Sequence, residues 1–113
     1  MQARFRLRIG TDRDLALGPG KVALLEAIQE TGSISGAGRK LGMSYRRAWL
    51  LVDAMNRAFN TPVIETSTGG REGGGTALTR TGQEIVRRYR KIEALAFAAA
   101  DKEINAISRL MRE

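Results

Sequence analysis

From Gln83 to Glu113 the chain carries neither proline nor glycine, so nothing local stops a helix once it has started there. Thr79 or Thr81 begins it, with Thr81 and Glu84 at the spacing of a capping box. Such a helix runs about 30 residues, or roughly 45 Å at the usual rise. A globule of 113 residues is only about 35 Å across. The far end must therefore protrude or pack on a second subunit. Its composition points to the second outcome. Ala94, Leu95, Ala96, Phe97, Ala98, Ala99, Ala100, Ile104, Ile107, Leu110 and Met111 put small and apolar groups nearly all round the helix, which asks for burial on more than one side. Ile92, Leu95, Ala96, Ala99, Ile104, Ile107 and Leu110 are the expected dimerisation residues.

What precedes this helix reads as one ordinary core, so a single domain over 1–113 is expected: at 42% hydrophobic the chain is too short for two comfortable domains. In RFRLRIG, Arg4 to Gly10, Phe5, Leu7 and Ile9 alternate with arginines, the period of a half-buried strand. Pro19 opens a first helix that Gly32 stops, with Val22, Leu25 and Ile28 on one stripe. Ser33 caps a short second helix through Ile34, Ala37 and Leu41, ended by Gly42. Ser44 caps a third, whose Ala48, Val52, Met55 and Phe59 form the core stripe, with Trp49 expected beside them in the core. Its opposite face carries Arg46, Leu50, Asp53 and Arg57. Beyond Pro62, PVIETS and TALT read as two strands around a glycine-rich tip, a hairpin over 62–79. The fold class expected is mainly α with a small β component.

The available chemistry is narrow. No cysteine and no histidine are present, which removes thiol nucleophiles, disulfides, and the commonest general base and metal ligand. No acidic pair or Ser–Lys dyad stands out, so an enzyme is not expected, nor a metal or cofactor. No apolar run approaches the ~18 residues of a membrane span, and the alternating N-terminus is not a signal peptide; no membrane partner and a cytoplasmic location are expected. Charge remains. Lys and Arg number 19 against 12 Asp and Glu, and the entire excess of seven falls within residues 36–91. That favours a polyanionic partner.

TGGREGGGTALT, Thr68 to Thr79, places five glycines in seven positions. A phosphate loop would need a lysine and then Ser or Thr opening a helix, and here another strand follows. A loose linker and a close-approach hairpin tip remain. The segment Gly32 to Asn56 chooses between them, because two short helices joined by a tight turn at Gly42 to Ser44, with Ala37 small enough for close approach, make a helix-turn-helix. That geometry delivers Ser44, Tyr45, Arg46 and Arg47 to a major groove. Helix start Ser33, with Ser35, Arg39 and Lys40, would lie on the phosphate backbone. A hairpin after a helix-turn-helix is a wing, whose bare tip lets Thr68, Arg71 and Thr76 come close to the sugar-phosphate backbone. Arg80 at the hairpin exit completes the candidate set. An ordinary helical hairpin with a solvated basic face is the plainer alternative.

SISGAGRKLGMSYRRAWLLVDAMN, then TGGREGGGTALT, then TRTGQEIVRRY, closely resembles the N-terminal DNA-binding domain of the ModE-type molybdate-responsive transcriptional regulators. The first part alone is shared loosely with LysR-type regulators; the S-Y-x-x-A-W opening and the GG-x-x-GGG-x-x-LT wing are more specific. The resemblance covers residues 18–92 and implies a homodimeric winged helix-turn-helix protein that binds double-stranded DNA at a near-palindromic operator. ModE proteins continue into oxyanion-binding modules, and this sequence stops at Glu113, so molybdate sensing does not carry over and no small-molecule effector is expected within the chain. A sequence-indifferent architectural DNA-binding protein, or a winged fold used for protein contacts, are the alternatives.

Overall fold

The computed structural model describes residues 5–12, 15–67 and 75–112. The elements run β1 (Ile9–Gly10), β2 (Leu15–Leu17), α1 (Pro19–Thr31), α2 (Ile34–Leu41), α3 (Tyr45–Ala58), β3 (Ile64–Ser67), β4 (Gly75–Leu78) and α4 (Arg80–Leu110). Two separate two-stranded antiparallel sheets accompany the four helices. Helices dominate, as the mainly-α reading expects.

Pro19 sits in the first turn of α1, and Gly32 ends the helix in the left-handed region at φ 76°, donating its N–H to Ile28. Only glycine adopts that conformation without strain. Leu24, Leu25, Ala27 and Ile28 of α1 pack with Ile34 and Ala37 of α2, with Ala48, Val52 and Met55 of α3, and with Val63, Ile64 and Leu78 of the hairpin. A second, smaller cluster joins Leu17, Val22 and Tyr89, flanked by Leu7, Ile9, Phe59, Ile85 and Val86. Each large apolar side chain buried in these clusters contributes about 1.5–3 kcal/mol. Among the described residues no polar or charged side chain other than the Tyr89 phenol is buried.

Three local expectations need correction. The N-terminal strand expected from Arg4 to Gly10 is paired only at Ile9–Gly10, against β2, with an irregular register. Its alternation is real: Phe5, Leu7 and Ile9 are half-buried while Arg6 and Arg8 are exposed. The apolar face lies on α4 instead of entering a longer ladder, with Phe5 edge-on to Phe97 at 6.4 Å and the Tyr89 hydroxyl donating to the Leu7 carbonyl at 2.6 Å. Thr81 does not cap α4. Thr79 does, its hydroxyl accepting from the Gly82 N–H at 3.0 Å, while Thr81 pairs with Thr61 and Glu84 with Arg88 at i,i+4. The Arg88 guanidinium holds the Glu84 carboxyl below its ordinary value. Trp49, expected in the core, is 46% exposed. It stands one position past buried Ala48, and about 100° of rotation carries it off the core stripe.

Helix α4 spans 31 residues, and the described residues extend 57 Å along their longest axis. Only Gly82 and Tyr89 of this helix are buried. No helix among the described residues is long and apolar enough to cross a membrane.

Candidate nucleic-acid interface

The turn between α2 and α3 is built by two caps and a glycine. Gly42 ends α2 at φ 71°, and the Met43 N–H returns to the Gly38 carbonyl at 2.9 Å. Ser44 then caps α3, accepting from the Arg47 N–H at 3.1 Å, as Ser33 caps α2 by accepting from the Gly36 N–H at 2.8 Å. Ala37 is fully buried as expected for a close helix pair, yet the tightest approach belongs to Gly38. A Cβ there would lie 3.1 Å from the Met43 carbonyl oxygen and 3.6 Å from the Ala48 Cβ.

This geometry leaves the first turn of α3 free. Tyr45 is 58% exposed, and Arg46 and Arg47 are exposed with no ion pair among the described residues. Two of the other basic candidates are engaged: Arg39 donates to Ser35 Oγ at 2.9 Å, and Lys40 pairs with Glu30 of α1. A phosphate approaching α2 would compete with both contacts. Arg80 is exposed at the start of α4.

The hairpin is joined to the helices at its root. Ile64 pairs with Leu78, and the ladder continues to Ser67 opposite Gly75. The Thr76 N–H donates to the Gly32 carbonyl at 2.9 Å, and the Thr79 N–H to the Val63 carbonyl at 3.0 Å. Asn56 of α3 supplies a clamp that sequence reading missed. Its Oδ1 accepts from the Val63 and Ile64 N–H groups, and its Nδ2 donates to the Ile64 carbonyl at 3.2 Å. An asparagine beside the core position Met55, facing an oncoming strand, was the only available signal. Thr68 and Arg71, the expected tip contacts, lie outside the described residues.

Of the expected dimerisation residues, Ile92, Leu95, Ile107 and Leu110 are exposed at 40%, 62%, 61% and 85%. Ala99 is exposed too, and Ala96 and Ile104 are half-buried. Among the described residues no cluster of three or more carboxylates could hold a metal ion.

Two helices set at a tight glycine turn, followed by a hairpin bonded to the Gly32 cap of α1 and to Asn56 of α3, define a winged helix-turn-helix. Residues 20–83 match the bacterial regulatory helix-turn-helix proteins of the lysR family, and the chain belongs to that family. The molybdenum transport protein ModE of Azotobacter vinelandii is 38% identical over 121 residues, covering 96% of this chain and 45% of that protein. The molybdenum-pterin-binding protein MopB of Rhodobacter capsulatus is 47% identical over 78 residues, 69% of this chain and 29% of that protein. The DNA-binding transcriptional dual regulator ModE of Escherichia coli K12 is 37% identical over 89 residues, with 79% and 34% covered. The resemblance to ModE proteins thus extends across most of the chain, while the chain spans less than half the length of these relatives. A crystal structure of the CbnR DNA-binding domain in complex with DNA aligns with a TM-score of 0.58 at 20% identity, covering 78% of this chain and 95% of that one. At that identity the likeness shows the fold alone.

Proposed function

We propose that the chain is a DNA-binding transcriptional regulator that acts as a homodimer on a near-palindromic operator. The observation that carries this reading is the free cationic start of α3, where Arg46 and Arg47 stand exposed and unpaired on a helix that Asn56 fixes to the wing root. An arginine so placed can donate bidentately to guanine O6 and N7. The name of the Escherichia coli ModE relative, a DNA-binding transcriptional dual regulator, supports the DNA-binding and regulatory part of this reading. Ser33, Ser35, Arg39 and Lys40 approach the phosphates, and Thr68, Arg71, Thr76 and Arg80 serve the wing side. The exposed stripe of α4 from Ile92 to Leu110 joins the subunits, placing half-sites about 34 Å or a multiple apart.

Selection of bound fragments from genomic DNA tests the reading directly. A palindromic consensus is expected, with affinity falling steeply with salt. Arg46→Ala should relax specificity at one or two base pairs by roughly 1–3 kcal/mol, and Arg71→Ala should weaken all sequences alike. Recovery of fragments with no common sequence would point to an architectural protein instead.

A further inference from the structure

Three large apolar side chains of α3 face solvent: Tyr45, Trp49 at 46% and Leu50 at 47% exposure. They sit with Arg46 on the exposed side of the helix, outside the stripe of buried Ala48, Val52 and Met55. Trp49 and Leu50 stand three and four residues after Arg46, so they are its neighbours one turn along the same face. The one carboxylate on this arc, Asp53, is neutralised by Arg57 at 2.7 Å. An apolar pair set among cations does not suit water, and it does not suit a second apolar protein face. It suits a groove that is anionic at its edges and carries apolar groups on its floor.

We propose that Trp49 and Leu50 are specificity-determining residues that read thymine 5-methyl groups in the major groove. The inference rests on the DNA-binding reading above. In that groove thymine is the base that presents a methyl, and apolar side chains read it by contact. The Trp49 side chain lines a shallow groove of about 180 Å³ with Ile34, Val52, Asp53, Asn56, Ile64 and Thr66, between α3 and β3. At 46% exposure the ring is partly covered and partly open to solvent. One helical turn advances about 5.4 Å and one base step about 3.4 Å, so the thymines read should lie one or two steps from the base pair that Arg46 contacts.

The test replaces each thymine of the selected operator, one at a time, with deoxyuridine. That change deletes the methyl and keeps every hydrogen-bonding group. Binding of the full chain is measured by fluorescence anisotropy at fixed salt for the wild type, Trp49→Ala and Leu50→Ala, with unfolding curves confirming that the exposed substitutions leave the fold intact. In the wild type, one or two substitutions per half-site should weaken binding about fourfold each. In the variant lacking the matching side chain that penalty should vanish. The inference is overturned if every deoxyuridine operator binds the wild type within about twofold of the parent, or if the penalties persist unchanged in both variants. If the wild type shows no selective DNA binding at all, the proposed function itself fails and takes this inference with it.

Discussion

Arg80–Tyr89 and Arg90–Leu110 belong to one unbroken helix, yet they relate to the rest of the chain in opposite ways. The first part is seated: Gly82 and Tyr89 are buried, and Ile85 and Val86 pack against both core clusters. The second part has no buried residue among those described, and its large apolar groups face outward. Both parts carry helical apolar periodicity. The pattern therefore states that a face will be covered and leaves open which chain covers it. What separates the halves is a missing side chain at one end and a phenol at the other. A Cβ at Gly82 would overlap the Val63 carbonyl oxygen, and the buried Tyr89 hydroxyl reaches the N-terminal segment. Burial pushes that phenol's pKa up, so it remains a protonated donor at neutral pH.

The contrast can be broken at its strongest point by Gly82→Ala. The added methyl meets backbone and cannot be absorbed by a side-chain rotation, so a loss of about 3 kcal/mol or more is expected in urea unfolding. Wild-type stability would mean that α4 does not sit on Val63. The outer half answers to a different perturbation. Leu95→Glu with Ile107→Glu should leave the secondary structure intact, convert dimers to monomers in sedimentation velocity, and make Tm independent of protein concentration, removing roughly 2–3 kcal/mol of concentration-linked stability. A double variant that still sediments as a dimer would place the interface elsewhere.

Smaller effects sharpen the boundary between the halves. Tyr89→Phe leaves the Leu7 carbonyl without its donor and should cost about 1–2 kcal/mol, read as a lowered urea midpoint together with faster amide exchange in the segment around Leu7. At the boundary itself, Arg90 donates to Glu26 of α1 through both Nε and Nη2 and to Glu93 through Nη1 at 2.7 Å. These partners raise the proton affinity of the guanidinium above its ordinary value. The Arg90 and Glu26 side chains remain open to water, at 41% and 40% exposure. Glu26→Gln should therefore cost only about 0.5 kcal/mol, and the difference should disappear at high salt.

Much of the architecture was legible because its punctuation is local. Gly32 and Gly42 stop helices by adopting positive φ, and Ser33 and Ser44 start them with one hydroxyl each. The parts that escaped depend on contacts distant in the chain. β2 exists because β1 lies beside it, which no residue of LAL announces. Asn56 matters because Val63 and Ile64 arrive with unpaired backbone groups. Thr79 outcompetes Thr81 as cap because its hydroxyl and N–H also bond the Pro62 and Val63 carbonyls, fixing the chain where the helix must begin. Hydrophobicity alone misplaces Trp49, although its angular position on α3 already puts it outside the stripe of Ala48, Val52 and Met55. The same angular reading places Arg46 on the free face from the sequence by itself.

Arg90 ties α4 to Glu26 of α1 where the helix leaves the core, a junction of exposed ion pairs. From there to Leu110 the helix projects about 30 Å, so a tilt of ~10° at the joint would sweep the far end through ~5 Å, more than one base step along a DNA strand. In a dimer held by those far ends, the same tilt would carry the two reading helices apart or together by a comparable distance. On the proposed dimer and operator, three charges on α1 and α4 would then influence half-site spacing without touching DNA, and salt, which loosens those charges, would blur it.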